Sequence, residues 1–498
     1  MIALRRPAAL ILAASLAVGI SADTLLRTSA AGINVSLWLI VLIGAPVFLS
    51  GPLGRPLIRG WELVAIPGIA CALGIAWRDS GQLFLFNLAG AAGGCALIAA
   101  RTSGGRLGES TVFELGQGML VHIVHSIAGT GFLIAREMLP AGSGERTGKR
   151  PVTPVLRGFL VAVPFLLLFG SLFTSADARF EHVMSRLFDF DLSSLFFHML
   201  ISGAVAWPVA GFLRGSLVAE EVPAPTTLRE AFFSLGIVEV GVSLGLIDAL
   251  FALFVVLQVP YLFGGAATVA ATAALTCAEY ARRGFFELTA AACFTIATLL
   301  LADWILRKET RGALTVFRSL AGLNLLLLGV IMASAWQRLM LYQEAYGLTE
   351  SRLYAAATLA GIGLVAAWFA FTVLRGRRSR FAFGSILAAY AVILMLNIIN
   401  PDAMIARINM TRASEGKQID SLYLARLSRD ATPELIAGIG RIPVPSGSFI
   451  AQELLRRNEV NGDEDWRTWN LSRERASAAI RENIDALMAT GRATPRTQ

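Results

Sequence analysis

About a dozen long apolar stretches fill the first four hundred residues of this 498-residue chain, and a polar tail of about a hundred follows them. Runs such as Ser36 to Leu49 and Leu320 to Ala335 carry no charge at all. A hydrocarbon layer of roughly 30 Å needs about 20 apolar residues per crossing helix. Soluble cores rarely repeat such runs. Charged residues are 16% of the chain, against about 25% in soluble domains, and mean hydropathy is +0.63. The expected fold class is all-α: a polytopic transmembrane helix bundle of about 11 spans with a small C-terminal helical extramembrane domain.

Spans are expected at 8–25, 32–50, 61–77, 83–100, 158–174, 193–212, 231–257, 286–305, 314–335, 353–373 and 381–399. Arg5 and Arg6 precede the first, which is expected to stay uncleaved because Ile20 spoils a small-x-small site. Basic residues cluster in alternate loops: Arg55 and Arg59; Arg101 and Arg106; Arg307, Lys308 and Arg311; and Arg375, Arg377, Arg378 and Arg380. The positive-inside rule makes these loops and the N-terminus cytoplasmic. The same bias accounts for the net charge of +8 without a nucleic-acid partner.

Residues 114–135 decide the parity of every later span. Glu114, Gln117, His122, His125 and Ser126 fall on one helical face, as expected of a helix lying in the interface. The domain plan is then 1–113, spans one to four; 114–157, an interfacial helix and basic cytoplasmic loop; 158–399, spans five to eleven; and 400–498, an external helical domain. In the tail, Ile419 to Leu427 has helical spacing, Ser448 is a candidate cap for a helix through Arg457, and Ser472 for one over 473–488. Tail charge is nearly balanced, which offers nucleic acid no basic surface.

Two polar clusters lie on the face made external by this count. The first, Glu279, Tyr280, Arg282, Arg283 and Glu287, sets acids and bases four residues apart, where helix side chains meet. The second is Trp336, Arg338, Tyr342, Glu344 and Tyr346, ended by Gly347. Each is an interfacial anchor in the simplest reading and a ligand-binding candidate in the sharper one, with arginine donors for an anionic or polar ligand. Because each joins long spans on one face, the two are expected to form one site, with Arg283 close to Glu344 and Arg338 nearby.

Glu239, Asp248 and Asn324 are polar at apolar positions, where ionisable groups default to a functional hypothesis. Glu239 and Asp248 are about 180° apart on a helix, so at least one is expected near a boundary. His122 and His125 have no Cys or acidic ligand close in sequence except Glu114, and no metal is expected. Cys71, Cys95, Cys277 and Cys293 have no paired spacing and read as buried thiols. No phosphate loop, nucleophile elbow or zincin motif is present, and no cofactor is expected.

Four strings carry a resemblance: A-E-Y-A-R-R-G-F-F-E-L at 278–288, W-Q-R-L-x-L-Y-x-E-A-Y-G-L-T at 336–349, N-P-D-A at 400–403 and D-W-R-x-W-N-L-S-R at 465–473. The chain resembles a bacterial multi-pass inner-membrane family of unknown function over about residues 155–490. The resemblance implies an integral inner-membrane protein with a terminal helical region and brings no catalytic residues. The expected function is a non-enzymatic envelope component that senses, scaffolds or transports through an outer polar site, touching membrane lipid and an envelope protein partner. The alternative is an enzyme acting on lipid-linked or glycan substrates at the outer leaflet.

Overall fold

A computed structural model describes residues 2–28, 30–54, 57, 59–99, 106–134, 169, 173, 192–218, 235–263, 285–307, 310–459 and 465–492. The membrane part comprises α1 (Ile2–Leu26), α2 (Ile33–Ser50), α3 (Glu62–Trp77), α4 (Gly81–Ala99), α5 (Val112–Phe132), α6 (Leu192–Leu217), α7 (Ile237–Phe263), α8 (Phe285–Ile305), α9 (Arg311–Tyr346), α10 (Glu350–Thr372) and α11 (Phe381–Ile399). The tail comprises α12 (Pro401–Ser414), α13 (Ser421–Arg426), α14 (Thr432–Gly438), α15 (Val444–Glu459), α16 (Leu471–Glu482) and α17 (Ile484–Arg492). Among the described residues, no strand forms and nine helices are long and apolar enough to cross a membrane: α1, α2, α4 and α6 to α11. The chain is thus an all-α, multi-pass membrane protein. The expected span at 61–77 is the shorter α3, whose 16 residues reach about 24 Å. The one at 158–174 lies outside the described residues, apart from Phe169 and Phe173.

Small residues set the closest helix contacts, as is usual where lipid tails remove the hydrophobic drive for association. A Cβ added to Gly19 of α1 would meet the Ser202 carbonyl oxygen of α6 at 2.2 Å, and one on Gly211 of α6 would meet that of His125 in α5 at 2.2 Å.

The turns sort onto two faces. Arg59 bridges to Arg106, Leu235 bridges to Leu306, and Arg378 pairs with Asp303 at 3.6 Å. The arginine-bearing turns therefore gather at one end of the bundle. The tail packs on the other end, against the turns around residues 28–32, 78–80 and 347–349. Helix α5 begins at the arginine face with a capping box of Thr111 and Glu114. Its Phe113 stacks on Trp304 at the end of α8, and Leu115 packs with Leu107. Further along, Thr130 donates to the Trp207 carbonyl of α6. His122 and His125 sit 6.3 Å apart, ring to ring.

Asn400 joins bundle to tail. It is the only non-glycine residue with positive φ among those described, at 56°, a region asparagine tolerates better than most. Its side chain accepts from Ala403 N, and Pro401 supplies a preset first turn for α12. The tail core, including Leu424, Leu435, Ile450, Leu454 and Ile480, is continuous with Leu83, Leu348, Tyr354 and Leu396 of the bundle.

Three local expectations for the tail change. Helix α15 starts at Val444, so Ser448 lies inside it and its hydroxyl donates to the Gly491 carbonyl. Asn470 rather than Ser472 caps α16, its oxygen accepting from Ser472 N and Arg473 N. The expected terminal helix breaks at Asn483 into α16 and α17.

Candidate functional site

The α3–α4 turn, Arg78-Asp79-Ser80, is where tail and bundle lock. Asp430 accepts from Arg78 Nη1 at 3.3 Å, from the Asp79 amide at 2.7 Å and from the hydroxyls of Ser428 and Ser472. The Arg78 and Asp430 side chains are only 8% and 1% exposed. Burial pulls the Arg78 guanidinium below its usual range, and Asp430 opposes that. Arg473 pairs with Asp79 at 2.7 Å and also donates to the Ala31 carbonyl, while Asn470 donates to the carbonyls of Ile75 and Arg78. The 465–473 string is thus a docking element. Its Trp466 and Trp469 are largely exposed.

Behind this lock lies a polar cavity of about 380 Å³, lined by Asp79, Glu350, Asp402, Arg426, Arg429 and Arg457 among others. Asp402, on the first turn of α12, is 1% exposed. One of its oxygens accepts from Ser428 N at 3.2 Å, and the other is buried without a hydrogen-bond partner. A helix N-terminus favours a carboxylate, but desolvation outweighs it, and the negative charge of Glu350 adds to the shift. The Asp402 carboxyl is pushed up to about 7. Arg457 and Arg429 bond tail carbonyls of Leu427 and Arg457, holding their guanidinium groups at the cavity wall.

Directly beneath is an apolar cleft of about 470 Å³ between α4, α8, α10 and α11, lined by Phe86, Cys293, Tyr354, Thr358, Gly361 and Leu396 among others. Helices α4 and α10 line both spaces: Gly81 and Glu350 above, Phe86 and Tyr354 about one turn below. Phe86 and Tyr354 pack ring to ring at 5.6 Å, and the Tyr354 hydroxyl meets that of Ser80 at 3.3 Å.

A third space, about 580 Å³, opens beside the α9–α10 turn and is lined by Tyr346, Arg352, Arg412, Lys417, Asp420 and Tyr423 among others. Gly347 turns the chain with φ of 79°, and Asn409 clamps the next residue, donating to the Leu348 carbonyl and accepting from its amide. Arg412 donates to the carbonyls of Glu344 and Ala345, covering the open end of α9. Arg352 lies over the Tyr342 ring at 3.9 Å.

Of the residues singled out by sequence, Glu279, Tyr280, Arg282 and Arg283 lie outside the described residues. Glu287 is exposed on the first turn of α8. Tyr342 and Tyr346 come together around Arg352. Arg338 is buried in the bundle and donates to Gln258 Oε1 at 2.5 Å, whereas Glu344 is exposed and Trp336 is 43% exposed. Asp402 sits inside the N-P-D-A string, yet an acid at a helix start looks like ordinary capping chemistry, and nothing in the sequence marks its burial. Among the described residues, no three His, Cys, Asp or Glu side chains are placed to hold a metal ion.

A family model described as "Domain of unknown function (DUF4153)" matches residues 65–438, most of the chain, and the chain belongs to that family. No curated protein and no solved structure matches it.

Proposed function

We propose that this DUF4153 protein is an envelope membrane protein that binds an amphiphile, a lipid or lipid-linked molecule, at the junction of bundle and tail, and senses, presents or moves it. The observation that carries this reading is the stacking of the polar cavity on the apolar cleft, with α4 and α10 lining both. A head group meets acids and guanidinium groups above, while an acyl or prenyl chain lies in the cleft below. In this reading the junction faces the outer side of a bacterial inner membrane, which the gathering of the arginine-bearing turns on the face opposite the tail supports through the positive-inside rule. Helix α5 starts at the arginine face and packs on the middle of α6, His125 against Gly211 and Thr130 against Trp207.

A photoactivatable phospholipid in proteoliposomes tests the binding. Saturable crosslinks concentrate on peptides of α4 and α10, and Thr358→Trp, which fills the cleft, abolishes them. Crosslinks spread evenly over all lipid-facing helices would rule the reading out.

A second reading, conversion of a lipid-linked substrate, is favoured by one feature. A carboxyl that titrates near 7 beside Glu350 suits general acid–base work at neutral pH. Under that reading Asp402→Asn keeps the crosslinks and loses turnover.

A further inference from the structure

We propose that Asp248 and Asn324 form a binding site for one small monovalent cation, a proton or an alkali metal ion, at mid-depth in the bundle. Asp248 is 4% exposed and Asn324 1%. Asp248 is the twelfth residue of the 27 in α7, and the amide nitrogen of Asn324, on α9, donates to its Oδ1 at 2.7 Å. That single bond leaves Asp248 Oδ2 and Asn324 Oδ1 buried and without a hydrogen-bond partner. Two acceptor oxygens on paired groups, far from water, lack one shared positive centre.

No neighbouring side chain among the described residues supplies it. The charged residues of the three helices here are Glu239 on α7, Glu287 and Asp303 on α8, and Arg311, Arg318, Arg338 and Glu344 on α9. None lies on the same level: Arg318 is nearly two turns from Asn324, and Arg338 nearly four. An unpaired carboxylate in hydrocarbon is expensive, and one hydrogen bond from a neutral amide does not offset that cost. A cation between Asp248 Oδ2 and Asn324 Oδ1 cancels the charge and gives both oxygens a partner. A proton does so by forming an O–H bond on Asp248 Oδ2, which then donates to Asn324 Oδ1. The proton comes from hydronium in the surrounding water, whose O–H bond breaks to leave a water molecule.

The space around the pair suits either ion. A cavity of about 250 Å³ reaches Asn324 and is lined by Thr295 and Thr298 of α8 between apolar walls of Leu244, Phe251 and Leu299. The Thr295 hydroxyl donates to the Ala291 carbonyl, so its lone pairs are open to a metal ion. On the tail side of the pair, Gln258 Oε1 accepts from Ser334 and Arg338 across the α7–α9 seam, whereas Ser243 and Glu239 are exposed on the opposite face of α7. Polar stepping points for an ion therefore run from the pair toward the tail side. The site uses different residues from the lipid cavity, so either proposal can fail alone.

The test uses the full-length chain in nanodiscs, with Asp248→Asn and Asn324→Leu beside wild type. Infrared difference spectra of wild type against Asp248→Asn are recorded over a pH series, in sodium, potassium and choline buffers. If the ion is a proton, wild type shows a protonated carboxyl band at neutral pH that is lost in Asp248→Asn and moves in Asn324→Leu. If it is a metal ion, the band is that of a carboxylate whose position shifts when choline is replaced by sodium or potassium, and the same exchange raises the melting temperature of wild type but not of Asp248→Asn. A carboxylate band insensitive to all three cations, unchanged in Asn324→Leu, overturns the proposal. Should Asp248→Asn fail to fold, wild type and Asn324→Leu across the same series still decide it.

Discussion

Truncating Asp430 to Ala strips the lock between tail and bundle of its centre. Four donors lose their acceptor at once: the Arg78 guanidinium, the Asp79 amide and the hydroxyls of Ser428 and Ser472. Removing one partner of a buried ion pair costs about 3–5 kcal/mol, because the remaining charge stays buried and unpaired. Arg78 meets that condition, at 8% exposure. A tenfold change in an equilibrium is about 1.4 kcal/mol. Tail undocking should therefore become more populated by about two to three and a half powers of ten. Global melting is a poor readout for a chain of this size, so the assay is local. The Ile33 amide donates to the Trp469 carbonyl at 2.9 Å across the same interface, and exchanges with solvent only when the tail lifts. Hydrogen exchange at Ile33 in detergent should speed up by the same factor. Arg78→Ala should cost less, since Asp430 keeps its other three donors, and the apolar pair Arg78→Met with Asp430→Leu should recover much of the loss. Ile33 exchange within tenfold of wild type in a folded Asp430→Ala protein would mean the lock is not what holds the tail.

The other predictions concern charge, backbone and orientation. The Asp402 carboxyl, raised to about 7 from an ordinary value of 3.8, holds an extra proton in the folded state between those limits. Stability of the docked tail should then fall as pH rises through that window and be restored below it, by a few kcal/mol at most; Asp402→Asn should flatten this dependence in pH-resolved exchange, and an unchanged slope would contradict the assignment. Gly347→Ala places a Cβ 2.4 Å from Asn409 Oδ1 at φ of 79°, so it should lower accumulation in membranes more than Asn409→Ala, which costs about 1–3 kcal/mol; equal levels of both with wild type would refute the clamp. Gly211→Ala should separate α5 from α6 through the His125 carbonyl, and a cysteine crosslink between Thr130 and Trp207 positions should weaken, whereas an unaltered yield would show the contact is loose. Reporter fusions after Arg380 and after Thr490 should lie in opposite compartments; matching signals would remove the eleven-span count.

Hydropathy was enough to find the bundle, because each spanning helix must satisfy its own backbone and stay apolar over its whole length. It was enough for Asp248 and Asn324 too, as polar residues at the wrong depth. That they pair was not legible, for they are 76 residues apart and on separate helices. The tail hid more. Nothing in the sequence singles out Arg78, Asp79 and Ser80, and their partners Asp430, Asn470, Ser472 and Arg473 lie some 350 to 400 residues on. Capping signals within the tail were locally ambiguous: Asn470 and Ser472 are both good caps, and only the docked position of Asn470 selects it. The candidate arginine and tyrosine clusters were legible as polar and aromatic, but Arg338 faces into the bundle and Tyr346 outward, a division set by helix rotation against α7.

The places where the tail docks are scattered through the whole of synthesis: Ala31 near the start, Arg78 and Asp79 a little later, Leu348 much later. All emerge from the ribosome before the helices that grip them. The tail closes only if each of those turns has been threaded to the same side of the bilayer. A single hairpin inserted backwards withdraws its turn and leaves charges such as Asp430 stranded. Docking of the last hundred residues therefore requires every one of those turns to lie on one face, and a mis-threaded chain is left with its tail undocked.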